Sequence, residues 1–137
     1  MKYFIASKWS NMKAVQLLTE NLTELGHNVF AYVDDRRNFV SATELTATPE
    51  ALTKKENWQK DKTLRAMYEK NLVGLEDSEA VILLLPAGKN SHLSAGIAYG
   101  LSKRSILIGE PETVEPNYLL FDERHPSIEA FIASLHK

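Results

Sequence analysis

The sequence predicts an α/β protein built on an open, mostly parallel sheet with helices on both faces, and three observations predict it. Runs of strand formers alternate with segments whose apolar residues recur at helical spacing, the connections between them are short, and the run Ala80-Val81-Ile82-Leu83-Leu84-Leu85 is apolar without alternation. Short strand–helix–strand crossovers require parallel neighbours, and an unalternating apolar strand must be covered on both faces. A chain of 137 residues suits one domain that buries its core without a metal or disulfide staple.

The elements follow in order. Tyr3 to Ala6 reads as the first strand, after which Val15, Leu18, Leu22 and Leu25 repeat at helical spacing. That helix is predicted from about Asn11 to Leu25, with Ser10 or Asn11 available to cap a first-turn amide and Gly26 to supply a left-handed C-terminal position. Val29 to Val33 is rich in strand formers, and the charged segment Asp34-Asp35-Arg36-Arg37-Asn38 ends it. From Phe39 to Thr53 the pattern is weak; Thr48-Pro49-Glu50 can start a helix, and the stretch can equally form a lid.

A further helix is expected over about Lys54 to Val73, with Trp58, Leu64, Met67, Tyr68 and Leu72 roughly on one side and Tyr68 in the core. The central strand follows, then the polar turn Pro86-Ala87-Gly88-Lys89-Asn90-Ser91, then a small-residue helix from about His92 to Leu101. Gly96 and Gly100 each cost that helix about 1 kcal/mol of propensity, which asks for a packing or functional reason. Ser105 to Ile108 is the next strand and Tyr118-Leu119-Leu120-Phe121 a short last one; Pro126 can open a terminal helix that buries Ile128, Phe131, Ile132 and Leu135. The sum is a flavodoxin-like or Rossmann-like open parallel five-stranded sheet, one domain over residues 1–137.

Composition removes several function classes. With no cysteine, no disulfide framework, thiol nucleophile or cysteine zinc site is available, and a cytoplasmic address is the default expectation. His27, His92, His125 and His136 are scattered, so no metal cluster is expected. The apolar start is far shorter than a signal-peptide core or a membrane span. Sixteen basic and eighteen acidic residues nearly cancel, which argues against duplex nucleic acid and membrane surfaces as partners. A small anion is compatible with this balance, because backbone amides bind it without a basic surface.

Sheets of this kind bind ligands beyond the C-terminal ends of their strands. That edge should carry Ser7 to Asn11, Tyr32 to Arg37, and Pro86 to Ser94. Gly88, Lys89, Asn90 and Ser91 join a buried strand to a helix N-terminus, where free amides favour phosphate or another oxyanion; such joints are also purely structural in many α/β proteins. Ser7 and Lys8 are candidates for ligand contact, against loop capping and an exposed lysine. Trp9 can stack on a base or shield the sheet edge. Asp34 and Asp35 read as turn residues, and His92 can act near the site or simply cover the turn. Neither a Walker motif nor a GxGxxG fingerprint is present.

The stretch from Ser78 to Lys103, with its hydrophobic strand, proline-and-glycine turn and helix His92-Leu93-Ser94-Ala95-Gly96-Ile97-Ala98-Tyr99-Gly100, resembles the nucleoside 2-deoxyribosyltransferase and nucleotide N-glycosidase family. Ala6-Ser7 is similar to that family's first nucleotide-contacting loop, and the order of elements fits nearly the whole chain. The resemblance implies a nucleoside or nucleotide ligand, no cofactor, and a homo-oligomer of at least two subunits. It also implies a glutamate on the helix after the turn, acting at the anomeric carbon. Here that position is Ser94. An acidic residue before the central strand is matched by Glu79, and Gly88 stands where transferases of the family can have aspartate.

That departure has a physical consequence, since a carboxylate stabilises positive charge developing at the anomeric carbon or forms a sugar ester with it, whereas a serine hydroxyl has no resting negative charge and needs a base to become a competent nucleophile. Ser94 and Glu79 are therefore the candidate catalytic positions. The leading expectation is nucleoside or nucleotide binding on an N-glycosidase-like scaffold with weakened or absent catalysis. The alternatives are transfer or hydrolysis at an N-glycosidic bond using another carboxylate, and a structural or protein-interaction module.

Overall fold

The computed structural model describes residues 1–31 and 56–136. Five parallel strands, β1 (Lys2–Ala6), β2 (Asn28–Ala31), β3 (Ala80–Leu84), β4 (Arg104–Ile108) and β5 (Glu123–His125), form one sheet in the order β2-β1-β3-β4-β5. Four helices accompany them: α1 (Met12–Glu24), α2 (Lys62–Asp77), α3 (Lys89–Gly100) and α4 (Ile128–Leu135). This is the expected flavodoxin-like α/β architecture. Its topological switch point lies between β1 and β3, where the chain order reverses.

Alternation along each strand divides the interior into two layers. Tyr3, Ile5, Ile82, Leu84, Ile106 and Ile108 face Val15, Leu18 and Leu22 of α1 and Phe131 of α4. Phe4, Ala6, Val81, Leu83 and Leu107 face Leu75 of α2 and Ala95 and Ala98 of α3. Every residue of β3 is buried, as a strand covered on both faces requires. The small residues of α3 serve close packing: Ala95 and Ala98 are nearly inaccessible and lie directly on the sheet. Gly74 does the same for α2, because an added Cβ would stand 2.8 Å from the Phe30 ring, which itself stacks on Phe4 at 5.2 Å.

Several local expectations are corrected. The last strand is not Tyr118–Phe121; that run belongs to a 3-10 helix, Pro116–Leu120, and the strand is the polar segment Glu123–His125. Four apolar residues in a row do not distinguish helix from strand, and Pro116 at the first helical position favours the turn. The second long helix begins at Lys62, behind a separate 3-10 turn Trp58–Lys60, because Asp61 caps it by accepting from the Leu64 amide at 2.8 Å. Its buried stripe is Met67, Gly74 and Leu75, whereas Tyr68 is 54% exposed and not in the core.

The small-residue helix begins at Lys89, one turn earlier than expected, with Gly88 as its N-cap. The first helix has no side-chain cap from Asn11, whose amide is used elsewhere. Gly26 does adopt the left-handed conformation, with φ of 89°. Ser127, rather than Pro126, opens the terminal helix by accepting from the Ala130 amide. The expectations for Tyr32 to Thr53, including Asp34, Asp35 and the lid, lie outside the described residues.

Candidate functional site

The C-terminal edge of the sheet brings together the turn after β1 and the turn after β3. They are bound to one another by Ser7. Its hydroxyl donates to the Leu84 carbonyl at 2.8 Å, with the Pro86 carbonyl at 3.2 Å as a second acceptor, and it accepts from Asn11 Nδ2 at 2.9 Å. Asn11 Nδ2 also reaches the Leu85 carbonyl at 3.5 Å. A hydroxyl carries one proton, so the donor of Ser7 is committed within the protein. Ser7 is thus placed at the expected edge, but as the clasp that joins two loops.

Lys8 follows, and its Cβ lies 4.0 Å from where a Gly88 side chain would begin. The space at Gly88 is therefore open, and its backbone is ordinary extended chain; the glycine leaves the mouth of α3 clear rather than relieving strain. No side chain caps α3, so its first-turn amides are available to an acceptor. Lys8, Lys89 and Asn90 are exposed around this helix end and Trp9 is half-buried. Neither Lys8 nor Lys89 enters an ion pair among the described residues. Ser91, on the first turn, is 7% exposed, and its hydroxyl has no hydrogen-bond partner among the described residues.

His92 is fixed at both ring nitrogens. Nδ1 lies 2.8 Å from the Gly88 carbonyl and Nε2 lies 3.0 Å from the Tyr118 hydroxyl. A carbonyl only accepts, so Nδ1 carries the proton in the neutral ring and Nε2 accepts from Tyr118. This ring braces the turn against the 3-10 helix Pro116–Leu120.

Ser94 sits one turn deeper on the same buried face of α3 as Ser91. Its Oγ accepts from Asn71 Nδ2 of α2 at 3.2 Å, so Ser94 is part of a neutral contact between two helices. Glu79 is not brought to it. It precedes β3 at the opposite end of the sheet, where its carboxylate accepts from the Lys2 amide at 3.0 Å. A strand of five residues separates it from the C-terminal edge by roughly 17 Å. Glu79 and Ser94 do not share a site.

The sequence marks neither Asn71 nor Tyr118 as a site residue, and it offers Asn11 as a helix cap at this edge rather than as the partner of Ser7. Asn71 carried a signal: Met67, Asn71, Gly74, Leu75 and Ser78 recur at helical spacing, so it is the amide within an otherwise small or apolar stripe. Tyr118 was hidden by being read as strand. Among the described residues, no group of three His, Asp or Glu side chains is placed to hold a metal ion, and no helix is long and apolar enough to cross a membrane.

A five-stranded parallel sheet in the order β2-β1-β3-β4-β5 defines the class of flavodoxin-like α/β proteins. No family model and no curated protein matches the sequence. Solved structures share the fold, among them two of low sequence identity. A 2-deoxyribosyltransferase from Bacillus psychrosaccharolyticus superposes with a TM-score of 0.71 at 14% identity, covering 96% of this chain and 90% of its own. A CMP N-glycosidase from Clostridium botulinum superposes with a TM-score of 0.63 at 13% identity, covering 100% of both chains.

Proposed function

We propose that this chain binds a nucleoside or nucleotide at the C-terminal edge of β1 and β3, on an N-glycosidase-like scaffold whose catalysis is weakened or absent. The observation that carries the reading is Ser94, a 3%-exposed, uncharged hydroxyl held by Asn71; the sequence resemblance is what assigns a carboxylate to that position. The uncapped end of α3, the unpaired Lys8 and Lys89 and the free hydroxyl of Ser91 supply donors for a phosphate or sugar hydroxyls. None of these groups stabilises a cation developing at an anomeric carbon. The distant placement of Glu79 removes the nearest candidate replacement.

An active transferase or hydrolase is the second reading, favoured by the names of the two fold neighbours. It needs a carboxylate from outside the described residues, such as Asp34 or Asp35. We further propose that the whole chain acts as one domain and assembles at least as a dimer, a reading supported by the exposure of Trp58 and Tyr68. Calorimetric titration against deoxynucleosides and their 5′-monophosphates tests binding, and a base-release assay tests turnover. Saturable binding without base release is the expected result. Absence of binding across the set overturns both readings, and base release that survives Ser94→Ala selects the second.

A further inference from the structure

A cavity opens beyond Tyr118, between β4, β5 and the loop that joins them. It has a volume of about 260 Å³, room for a ligand on the order of ten non-hydrogen atoms at protein packing density. Its walls are aliphatic: Leu107, Pro111, Val114, Leu119 and Pro126. Val114 and Leu119 are 74% and 81% exposed, so this apolar rim faces solvent. Such a lining takes a short hydrocarbon body.

The charged groups decide what that body carries. Glu110, Glu115 and Arg124 line the same cavity, and none of the three enters an ion pair among the described residues. Arg124 uses one nitrogen to donate to the Tyr118 carbonyl at 3.1 Å, which orients the guanidinium and leaves further N–H groups to offer. The fourth titratable side chain that could serve, His125, is already engaged by Glu123 at 3.0 Å. One free guanidinium suits a carboxylate. Two free carboxylates against that single cation make a wholly anionic ligand unfavourable and suit an ammonium.

We propose that this cavity is a binding site for a small zwitterion with an aliphatic body, the chemistry of a free aliphatic α-amino acid. Arg124 receives its carboxylate, Glu110 or Glu115 its ammonium, and the proline, valine and leucine walls its side chain. The site is separate from the nucleoside edge and does not depend on that reading. Tyr118 is common to both, through its hydroxyl on His92 and its place in the cavity lining.

The test is a titration of the isotope-labelled full chain followed by amide resonances, using L-leucine, 4-methylvalerate and 3-methylbutylamine as probes. The last two keep the body and remove one charge each. Saturable shifts on Gly109, Val114, Leu119 and Arg124 with L-leucine, at least tenfold weaker with either single-charge probe, are expected from the loss of one charged hydrogen-bond set. Arg124→Met should abolish the preference for L-leucine over 3-methylbutylamine. Because Arg124 also supports Tyr118, the exposed and isosteric variants Glu110→Gln and Glu115→Gln provide the independent arm, and at least one should abolish the preference over 4-methylvalerate. No saturable shift up to millimolar L-leucine overturns the proposal. So does equal binding of all three probes, which marks a merely greasy cavity, and so does affinity unchanged by all three substitutions.

Discussion

Replacing Ser7 with alanine distinguishes a clasp from a ligand contact, and the structure sets the size of the effect. The substitution deletes the donor to the Leu84 carbonyl at 2.8 Å and the acceptor for Asn11 Nδ2 at 2.9 Å. Asn11 is half-exposed, so water can re-satisfy its amide and its share is about 0.5–1 kcal/mol. The bond to Leu84 is buried, and leaving a buried acceptor short costs about 1–2 kcal/mol. The sum is roughly 1.5–3 kcal/mol of folding stability, and for a chain of this size it lowers Tm by about 5–12 °C. Thermal unfolding followed by circular dichroism measures it. A Tm within about 2 °C of the parent, accompanied by a tenfold loss of nucleotide affinity, would refute the clasp and return Ser7 to the ligand.

Gly74→Ala sets about 1–3 kcal/mol of overpacking against Phe30 in opposition to about 1 kcal/mol of gained helix propensity. Net destabilisation is expected in denaturant titrations, and it should disappear in a Phe30→Leu background. Glu123 is pulled two ways: burial, the largest influence, opposes its ionisation, but hydrogen bonds from His125 and Arg104 together outweigh it and hold its pKa below the usual value. The stabilisation is therefore present above the ordinary glutamate range and lost as pH falls through the lowered value, so the gap between parent and Glu123→Gln in urea midpoint should be open at pH 7 and closed near pH 2. Lys89→Met should weaken monophosphate binding more than nucleoside binding, with a difference that shrinks in salt; equal losses would point to altered packing. Ser94→Glu should create or raise base release from a bound nucleoside or nucleotide, and Ser94→Gln should lack it; a folded, binding glutamate variant without base release would sink the view that one carboxylate separates this chain from a glycosidase.

The strands were legible where burial leaves no choice of residue. β3 is apolar throughout because both its faces are covered, and β1 and β4 read clearly because they flank it. β5 was not legible for the opposite reason. It is an edge strand whose polar side chains Glu123 and His125 bond one another and Arg104: Arg104 Nε donates to Glu123 at 2.7 Å, and His125 bonds its other oxygen. An edge strand held by ion pairs has the composition of a loop. The adjacent apolar run Tyr118–Phe121 has the composition of a strand, although it forms the end of a 3-10 helix and its C-cap, packed with the layer of Phe4, Val81 and Leu83.

The candidate site divides along the same line. Gly88 to Ser91 could be placed from sequence because a strand, a turn and a helix in succession put them at the sheet edge whatever their side chains do. The side-chain pairings around them could not, since they join distant segments: Tyr118 meets His92 across 26 residues, Asn71 meets Ser94 across 23, and Ser7 meets Leu84 across 77. Of these, only Asn71 announced itself, as a polar residue in a helix's buried stripe. That placement has its own consequence for Ser94. A lone buried hydroxyl could be exchanged for alanine at little cost, but one that satisfies a neighbouring helix's amide leaves that amide without its acceptor when removed. The side chain at position 94 is thus bound into the α2–α3 contact as well as into any ligand site, and a carboxylate placed there would inherit the Asn71 amide as a ready donor to its charge.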